Sequence, residues 1–585
     1  MCGILGVRRS WRDDPSRFDA ALRVLGWRGP DDARKVTSGD FVLGVARLTI
    51  SDPKSPQPIV CPRTGRVVVF NGAVTSAAEE WPRFAGRLQG RNDAELLLQR
   101  FAEDGPSSLC AHGGGYAFGL WDPQAEELWL GRDPRGEKPL LCVHDGRRVV
   151  AFASSLDALE ALGLRFAQDT AMAATALRFG ASASPRCIDE GLCLSGDLRG
   201  LCVARGDGPP LLPWHADRFR AAADDALPVA LRAAVTRCAT AEPAVAVALS
   251  GGIDSAVIAA CLAEGERLVP AYQCRFAGDD EGERSRAQAV ADRLGLELRE
   301  VDVDVGVLDH AAALSRHATA PLGDPSVLVT HALARAVARD GVRVLLSGEG
   351  SDELLLGYSR HAALRALDRR RLLRLALRAL PADGLAHSRI ARLARAARAP
   401  DPHASLLEVA PPSFRAAVLT PDFAHGTLPD TTDARFDAVR ARELDFYLRF
   451  DLLPKFDLAG MAAGIEGRCP FLDPQVVDAA ARMAPDAVRG KRPLREAFAA
   501  HLPRGHFAQR KRGFAVPIDR FWRDSDLLAD ILLDPRSLQR EHLRADGVRA
   551  MVARQCRGDV RLGHALWLLV AQELWLRARE EVHRA

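Results

Sequence analysis

The sequence predicts an α+β domain of packed antiparallel sheets, followed by an α/β domain that is built on a parallel sheet and ends in a largely helical part. Three observations support this fold class. Short β-rich segments separated by Asp, Gly and Pro fill the chain up to about residue 205. From about residue 220, apolar runs alternate with helical patterns, which is typical of βαβ units. Beyond about residue 360, the pattern is mostly helical.

The domain boundary is predicted from length and composition. A chain of 585 residues is too long for one hydrophobic core. The Gly- and Pro-rich stretch ARGDGPPLLPWHADRF, residues 204–219, separates the two periodicities. We therefore predict a first domain over residues 1–205, a linker over 206–225 and a second domain over 226–585.

The composition and charge limit the kinds of partner that the protein is expected to bind. With 79 basic and 76 acidic residues, the net charge of +3 favours no nucleic-acid partner. No signal-peptide pattern follows Met1 and no apolar stretch could span a bilayer, so we expect a cytoplasmic protein with no membrane partner. The 12 cysteines form no CxxC pair and the histidines show no zinc spacing, which favours reduced thiols over a disulfide or metal framework.

One Arg- and Leu-rich segment admits more than one interpretation. Residues 369–400 read RRRLLRLALRALPADGLAHSRIARLARAARAP. This pattern is compatible with a basic helix that meets a membrane or RNA, but an ordinary amphipathic packing helix explains its alanines and leucines at least as well.

The chain begins MCGILG, which places a cysteine directly behind the first methionine. If Met1 is removed, Cys2 carries a thiol and a free α-amine on the same carbon. The residue is then a nucleophile with its own candidate base.

A phosphate-binding loop is predicted at LSGGIDSA, residues 249–256, between a predicted strand and a predicted helix. Its glycines let backbone N–H groups converge on an anion, its serines add hydroxyls, and its aspartate can hold Mg²⁺. The spacing and the lysine of a Walker A loop are absent, and a plain strand-to-helix turn is the alternative. The candidate residues are Leu249, Ser250, Gly251, Gly252, Asp254 and Ser255.

The stretch LLSGEGSDELLLGY, residues 345–358, repeats this design after another predicted parallel strand. It adds Ser347 and Gly348 to the candidate ATP-binding residues and supplies the acids Glu349, Asp352 and Glu353. Because parallel strands end at one edge, Asp254 and Asp352 are predicted to share Mg²⁺ on a triphosphate.

Lys491 is the third candidate of this second site. Only six of the basic residues are lysines, so a retained lysine is a better candidate than usual for a site that needs a compact ammonium. Near an α-phosphate, Lys491 in GKRPLREAF would stabilise the charge that develops as pyrophosphate leaves.

These motifs resemble those of glutamine-dependent asparagine synthetases of the bacterial type. The resemblance covers essentially the whole chain, through MCGILG, RGPD, ARLTI, FNG, NDAE, GRDPRGEKPL, SGGIDS, SGEGSDE, IEGRCPFLD and RKRGFAVPI, in that order. It implies an N-terminal-nucleophile glutaminase domain with an αββα sandwich, joined to an ATP-pyrophosphatase-type synthetase domain. It also implies ATP and Mg²⁺, small-molecule substrates (glutamine and a carboxylic acid such as aspartate) and, as a further expectation, a homodimer.

The resemblance also assigns roles. The Cys2 thiolate would attack glutamine, Arg47 would clamp its α-carboxylate, Asp93 would meet its α-ammonium, and Asn71 with Gly72 would form the oxyanion hole. Ammonia would then reach a carboxylate adenylated by ATP at the second site. There the SGGIDS loop would hold pyrophosphate, Lys491 would assist its departure, and Glu349 would handle the proton of the incoming amine. The metal ligands would be Asp254 and Asp352.

Four stretches depart from the family pattern. GWRGPD, residues 26–31, stands where the family usually has RHRGPD, and Ala73 in NGAVTS, Ser155 in ASS and Leu458 in KFDLAGMA replace residues that are usually charged. They leave glutamine use and the identity of the acceptor open. Amide synthesis from glutamine ranks first. A specialised ligase of the same family ranks second, such as a lasso peptide cyclase acting on a precursor peptide or a β-lactam synthetase. A non-catalytic nucleotide or glutamine sensor is the weakest alternative.

Overall fold

The first domain contains two six-stranded antiparallel sheets in this computed structural model. The structure describes residues 2–584 except 51–55, 89, 91, 107, 109–112, 184, 196–199, 206–211, 215–226, 241–243, 266, 277–280, 381–388, 432, 434 and 509–515. Most of the predicted linker and part of the RKRGFAVPI motif therefore lie outside the described residues.

The first sheet has the strand order β12-β8-β9-β1-β3-β2 and the second the order β14-β13-β7-β6-β5-β4. The short strands β10 and β11 pair separately. The bounds are β1 Cys2–Arg8, β2 Asp32–Ser38, β3 Phe41–Arg47, β4 Ile59–Val60, β5 Val67–Gly72, β6 Tyr116–Asp122, β7 Glu127–Arg132, β8 Leu141–His144, β9 Val149–Ala153, β10 Phe166–Ala167, β11 Arg186–Cys187, β12 Cys193–Ser195, β13 Gly200–Arg205 and β14 Leu212–Trp214. Strand β14 falls inside the predicted linker, and the domain boundary stays a prediction.

The two sheets pack face to face because their alternating apolar residues share one core. Ile4 and Leu43 of the first sheet meet Val69 and Leu130 of the second, all fully buried. Helix α3 covers the outer face of the second sheet, while α1 and α4 pack against the first. These layers confirm the predicted αββα sandwich. The helices of this domain are α1 Pro15–Val24, α2 Ala77–Glu80, α3 Asp93–Asp104, α4 Leu156–Ala161 and α5 Thr170–Phe179.

The second domain contains a five-stranded parallel sheet in the order β17-β16-β15-β18-β19. The chain runs from β15 outward to β17 and then returns to β18 on the other side of β15. This switch opens a crevice beyond the carboxyl ends of β15 and β18, the usual ligand position in such sheets. The bounds are β15 Val245–Ala248, β16 Ala271–Phe276, β17 Leu298–Val303, β18 Val344–Leu346 and β19 Glu466–Arg468.

Helices flank this sheet and form the rest of the chain, as the sequence predicts. The bounds are α6 Leu227–Thr240, α7 Ile253–Glu264, α8 Glu281–Leu294, α9 Ala311–His317, α10 Ser326–Arg339, α11 Ser351–Leu354, α12 Ser359–Arg369, α13 Arg371–Ala379, α14 Arg389–Arg398, α15 Pro402–Leu407, α16 Pro412–Val418, α17 Ala438–Arg442, α18 Leu453–Met461, α19 Pro474–Arg482, α20 Pro485–Val488, α21 Arg492–Phe498, α22 Ile518–Phe521, α23 Leu527–Leu532, α24 Pro535–Leu538, α25 Ala545–Cys556 and α26 Gly563–Arg584. A π-helical stretch, Glu443–Leu452, leads into α18. Within the described part of the chain, no helix combines the length and apolarity needed to cross a bilayer.

Candidate active sites

Cys2 is the first residue of β1, and its side chain lies between the two sheets. It is 4% exposed, and it stands opposite Arg47 of β3 in the strand register. Its backbone N–H donates to Oδ1 of Asn71 at 3.1 Å. Burial raises the pKa of the Cys2 thiol, while the positive charges of the chain N-terminus and Arg47 act in the opposite direction. The thiol therefore needs a nearby base or a bound substrate to become an effective nucleophile at neutral pH.

Asn71 and Gly72 end β5 beside Cys2. Asn71 is fully buried, and its Nδ2 donor has no acceptor among the described residues. Buried donors are nearly always satisfied, so an unused one in a site suggests a ligand atom. Gly72 has φ +125°, and a Cβ there would lie 2.2 Å from the carbonyl oxygen of Gly115. Only glycine therefore fits the chain path that presents the Asn71 side chain.

Asp93 is connected to Cys2 and Asn71 through the turn that follows β5. Its Oδ2 accepts the backbone N–H of Val74 at 2.8 Å, which fixes the turn that follows β5. The structure thus brings Cys2, Arg47 and Asn71 together and connects Asp93 to them through this turn. Ala73, one of the departures, belongs to the same turn and donates its N–H to Gly115.

We expect Asn71→Ala to lower the rate of glutamine hydrolysis by about 10²–10³-fold, as for other oxyanion donors. The reason is the loss of the Nδ2 donor. Asn71→Asp keeps the acceptor for the Cys2 N–H but replaces that donor, so an equal loss assigns the effect to Nδ2. The measurement is glutamate release, with ammonia-supported synthesis as the control. Full glutaminase activity in Asn71→Asp would contradict the assignment.

The first loop of the second site begins where β15 ends. Gly251 has φ +73°, and the N–H groups of Ser250 and Gly252 donate to the hydroxyls of Ser255 and Ser250 at 3.2 and 3.3 Å. The Leu249 N–H pairs with the Tyr272 carbonyl at 2.8 Å, which ties the loop to β16. The serine hydroxyls thus hold the turn in shape ahead of the α7 N-terminus, where the helix dipole favours an anion.

The second loop meets the first across the crevice. It follows β18, where the Ser347 N–H donates to the Arg468 carbonyl at 3.0 Å. Ser351 Oγ donates to Oδ1 of Asp254 at 2.6 Å. A Cβ at Gly348 would stand only 2.7 Å from that of Asp254, so the close approach of the two loops requires glycine. The predicted meeting of the two motifs is thus present in the structure.

Lys491 lies between the two aspartates. Its Nζ is 2.5 Å from Oδ1 of Asp254 and 2.5 Å from Oδ1 of Asp352, and the residue is 2% exposed. The backbone of Lys491 is left-handed, with φ +62°, a conformation that costs energy in a residue other than glycine. This conformation directs the ammonium to the carboxylates from a distant part of the chain. The surrounding structure therefore holds a strained backbone that serves the site.

The donor set also fits Mg²⁺. Two carboxylates converge on one point, and hard oxygen ligands of this kind are what Mg²⁺ prefers. Asp254 and Asp352 are the residues that would hold the ion. The ion would enter the site together with the phosphates of a nucleotide substrate.

A charged cluster lies beside Glu349. Lys455 Nζ is 2.9 Å from Oδ2 of Asp324. Burial raises the pKa of Asp451 well above its usual range, and the carboxylates of Asp324 and Glu349 add to this effect. Glu349 also acts on Cys469, whose thiol pKa is raised by burial, then by Glu137 and Glu349. Glu349 therefore lies close enough to influence both Asp451 and Cys469.

Polar contacts join the two domains near the two sites. The sequence motifs gave no sign that these residues would pair. Arg28, in RGPD, forms a fork with Asp457 at 2.9 and 3.1 Å, and its Nε lies 3.4 Å from the Cys2 carbonyl. Lys138 Nζ donates to the Gly467 carbonyl of β19 at 2.9 Å. Lys138 belongs to the GRDPRGEKPL motif and is one of only six lysines, and these two signals could have singled it out.

Cys469 lines a small cavity between the domains. The cavity, of about 10 Å³, is lined by Ala73 and Gly115 of the first domain and by Gly467 and Cys469 of the second. Glu137 also lines this cavity. Burial and the nearby Asp133 raise the pKa of its carboxyl group to about 8. The cavity thus lies between the turn behind Asn71 and Cys469, and its volume is about that of one water molecule.

Ser155 and Leu458, two of the departures, share a second cavity. Ser155 and Leu458 both line a space of about 80 Å³ between the domains, together with Trp27 and His317, whose rings stack at 4.4 Å. His317 Nδ1 lies 2.6 Å from Oδ2 of Asp157, which adds a hydrogen-bonded contact across the interface. Ser155 and Leu458 therefore lie where the two domains meet.

Comparisons with known proteins agree with this architecture. The Glutamine amidotransferase domain family matches residues 1–193 and the Asparagine synthase family matches residues 226–577. A Mycobacterium bovis protein named Putative asparagine synthetase (glutamine-hydrolyzing) is 30% identical, covering 98% of this chain and 97% of its own. Asparagine synthetase 1 of Bacillus subtilis is 23% identical, covering 98% and 96%. Amidase chry2 of Gibberella zeae is 26% identical over 58% of this chain and 55% of its own.

The fold and these matches define a glutamine-dependent, ATP-using ligase that forms carbon–nitrogen bonds, with an N-terminal-nucleophile amidotransferase domain. The chain belongs to the Asparagine synthase family.

Proposed function

We propose that this enzyme transfers the amide nitrogen of glutamine to the side-chain carboxylate of aspartate, giving asparagine, glutamate, AMP and pyrophosphate. One observation carries the proposal: a buried nucleophile with an unused oxyanion donor, Cys2 with Asn71, occurs in the same chain as the Asp254–Lys491–Asp352 group. A ligase that closed a ring with its substrate's own amine would need no glutaminase site.

At the first site, the Cys2 thiolate attacks the amide carbon of glutamine and the Cys2 α-amine accepts the thiol proton. Asn71 Nδ2 and the Gly72 N–H stabilise the negative oxygen of the tetrahedral intermediate. The C–N bond breaks, ammonia leaves with a proton from the amine, and water hydrolyses the resulting thioester to glutamate. Arg47 and Asp93 hold the α-carboxylate and α-ammonium of glutamine.

At the second site, an oxygen of the acceptor carboxylate attacks the α-phosphorus of ATP, and pyrophosphate leaves. The SGGIDS loop holds the departing phosphates, and Lys491 neutralises their growing charge. Mg²⁺, if held by Asp254 and Asp352, would supply further charge neutralisation on the phosphates. Ammonia then attacks the acyl-adenylate, Glu349 accepts its proton, and AMP leaves.

Ammonia travels between the sites along the cavity that joins Ala73 to Cys469. Supporting this path, the cavity is lined from both domains, by Ala73 and Glu137 of the first and by Cys469 of the second. Ammonia that escaped into neutral water would be mostly protonated and no longer nucleophilic.

We expect Cys469→Phe to uncouple the two reactions. The larger ring fills a buried position, 6% exposed, on the proposed path. Glutamine hydrolysis continues, whereas the yield of amide per glutamate falls severalfold. Ammonia-supported synthesis in the variant shows whether the second site is intact, and Cys469→Ser serves as the control of similar size. An unchanged amide-to-glutamate ratio in Cys469→Phe would place the path elsewhere.

The acceptor is tested by a paired assay. With ATP, Mg²⁺ and glutamine, release of pyrophosphate and glutamate is followed with and without aspartate. Aspartate-dependent pyrophosphate together with asparagine identifies an asparagine synthetase. No pyrophosphate with aspartate, on an enzyme that still hydrolyses glutamine, rejects aspartate and leaves the glutaminase proposal standing.

A second candidate is a ligase that amidates a different carboxylic acid, such as a peptide side chain or a natural-product acid. The observation that favours it is the pair of departures at Ser155 and Leu458, which share one interdomain cavity. Pyrophosphate release from a panel of carboxylic acids separates the two candidates.

A further inference from the structure

Helices α13 and α14 carry an unusual concentration of exposed apolar side chains. Ten large hydrophobic residues are exposed in the described part of the chain, and five of them lie between residues 372 and 390. Leu372 is 83% exposed and Leu375 is 60% exposed. Only Leu377 of α13 is buried, in a small core that α12 to α15 share. The full five are Leu372, Leu373, Leu375, Leu380 and Ile390.

The same segment is strongly cationic. Residues 369–398 contain nine arginines and one aspartate, although the whole chain carries a net charge of only +3. Along α13, Arg371, Arg374 and Arg378 recur at helical spacing and share one face, whereas leucine and alanine fill the rest of the circumference. Arg371 and Arg378 are exposed, as is Arg389 at the start of α14. An apolar ridge is thus bordered by positive charge.

The nature of this surface restricts its occupant. A second copy of the chain would bring like charges together across a two-fold interface, which opposes association. A nucleic acid would use the arginines but leave the leucines exposed to water. A short helix with leucines on one side and arginines on the other has the composition of a segment that lies in the plane of an anionic membrane. Such a segment does not cross the bilayer.

We propose that the α13–α14 surface binds the anionic phospholipid surface of a membrane, with Leu372 and Leu375 inserted among the lipid chains and the arginines against the headgroups. The exposed leucines show that this segment is more than the ordinary packing helix that the sequence allows. The proposal assigns the ligase a peripheral membrane contact that uses none of the candidate active-site residues.

The test is sedimentation of the full-length protein with vesicles of phosphatidylcholine, alone or mixed with phosphatidylglycerol. We expect binding to the mixed vesicles only, weakened by added salt. Leu372→Ser/Leu375→Ser should lower the partition coefficient at least about tenfold, because two leucines lose their apolar burial. Leu268→Ser is the matched control, since Leu268 is 69% exposed in another part of the chain. Far-UV circular dichroism and pyrophosphate release show whether the variants are folded. No α13 residue belongs to the candidate site for pyrophosphate release.

Several outcomes would overturn the proposal. Equal binding to both kinds of vesicle would remove the role of the arginines, and equal losses in the Leu268→Ser variant would remove the role of α13. Absence of vesicle binding would also reject the proposal. It would do so equally if the protein formed a dimer that the double variant disrupts, or if it bound a single-stranded oligonucleotide.

Discussion

Replacing Cys2 by alanine should abolish glutamine-dependent synthesis, by on the order of 10³-fold or more, and leave ammonia-dependent synthesis intact. The variant removes the only atom that can form the thioester, while Asn71, Arg47 and the whole second domain keep their contacts. The measurement is product formation with glutamine and then with ammonium chloride at a pH where free ammonia is present.

Cys142→Ala is a suitable control for Cys2→Ala, because Cys142 is a buried cysteine of the same sheet outside the proposed site. It should leave glutamine use unchanged. Glutaminase activity that persists in Cys2→Ala would refute the assignment of Cys2 as the nucleophile. If the variant also lost ammonia-dependent synthesis, Cys2 would be needed for the fold and not only for the chemistry.

Replacing Lys491 by alanine should lower pyrophosphate release by about 10²–10³-fold while glutamine hydrolysis persists. Without the ammonium, the leaving phosphates lose the neutralising charge that we propose for Lys491, and Asp254 and Asp352 lose the cation that lies 2.5 Å from each. Unpairing a buried ion pair typically costs about 3–5 kcal/mol, so the melting temperature should fall too. Pyrophosphate release is measured with the acceptor saturating.

Two companion variants separate catalysis from stability. Lys491→Arg keeps the charge but not the compact ammonium, so a folded variant with little pyrophosphate release supports a catalytic role. Lys35→Ala removes a lysine that is 39% exposed and should change neither property. Wild-type rates in a folded Lys491→Ala would remove this residue from the mechanism.

The sequence predicted those parts of the fold and site that depend on local pattern. The alternating apolar residues of β1 and β3 and the Ala-rich α7 behind SGGIDS form the elements expected of them. The two loops after β15 and β18 meet because neighbouring parallel strands end at one edge, which topology alone requires. Cys2 and Asn71 meet for a different reason: β1 and β5 lie on facing sheets of one sandwich.

The direct pairing of particular distant side chains could not be predicted, because no spacing records it. Lys491 was predicted for the second site, but no pattern indicates its ion pair with Asp254, 237 positions away, or the left-handed backbone that allows it. His361 and His403 both meet Glu443 Oε1, at 2.9 and 2.8 Å, although no zinc-like spacing is present. Among the described residues, this is one group that could hold a metal ion, and its carboxylate is already paired with Arg360.

The Arg28 fork connects the two domains through one side chain. The same guanidinium contacts the Cys2 carbonyl in one domain and Asp457 in the other, two residues along α18 from Lys455. Binding energies that act through one shared group are reciprocal. If an acceptor bound beside Lys455 tightens glutamine binding by some factor, glutamine must tighten acceptor binding by the same factor. A single arginine would then make each substrate an effector of the other.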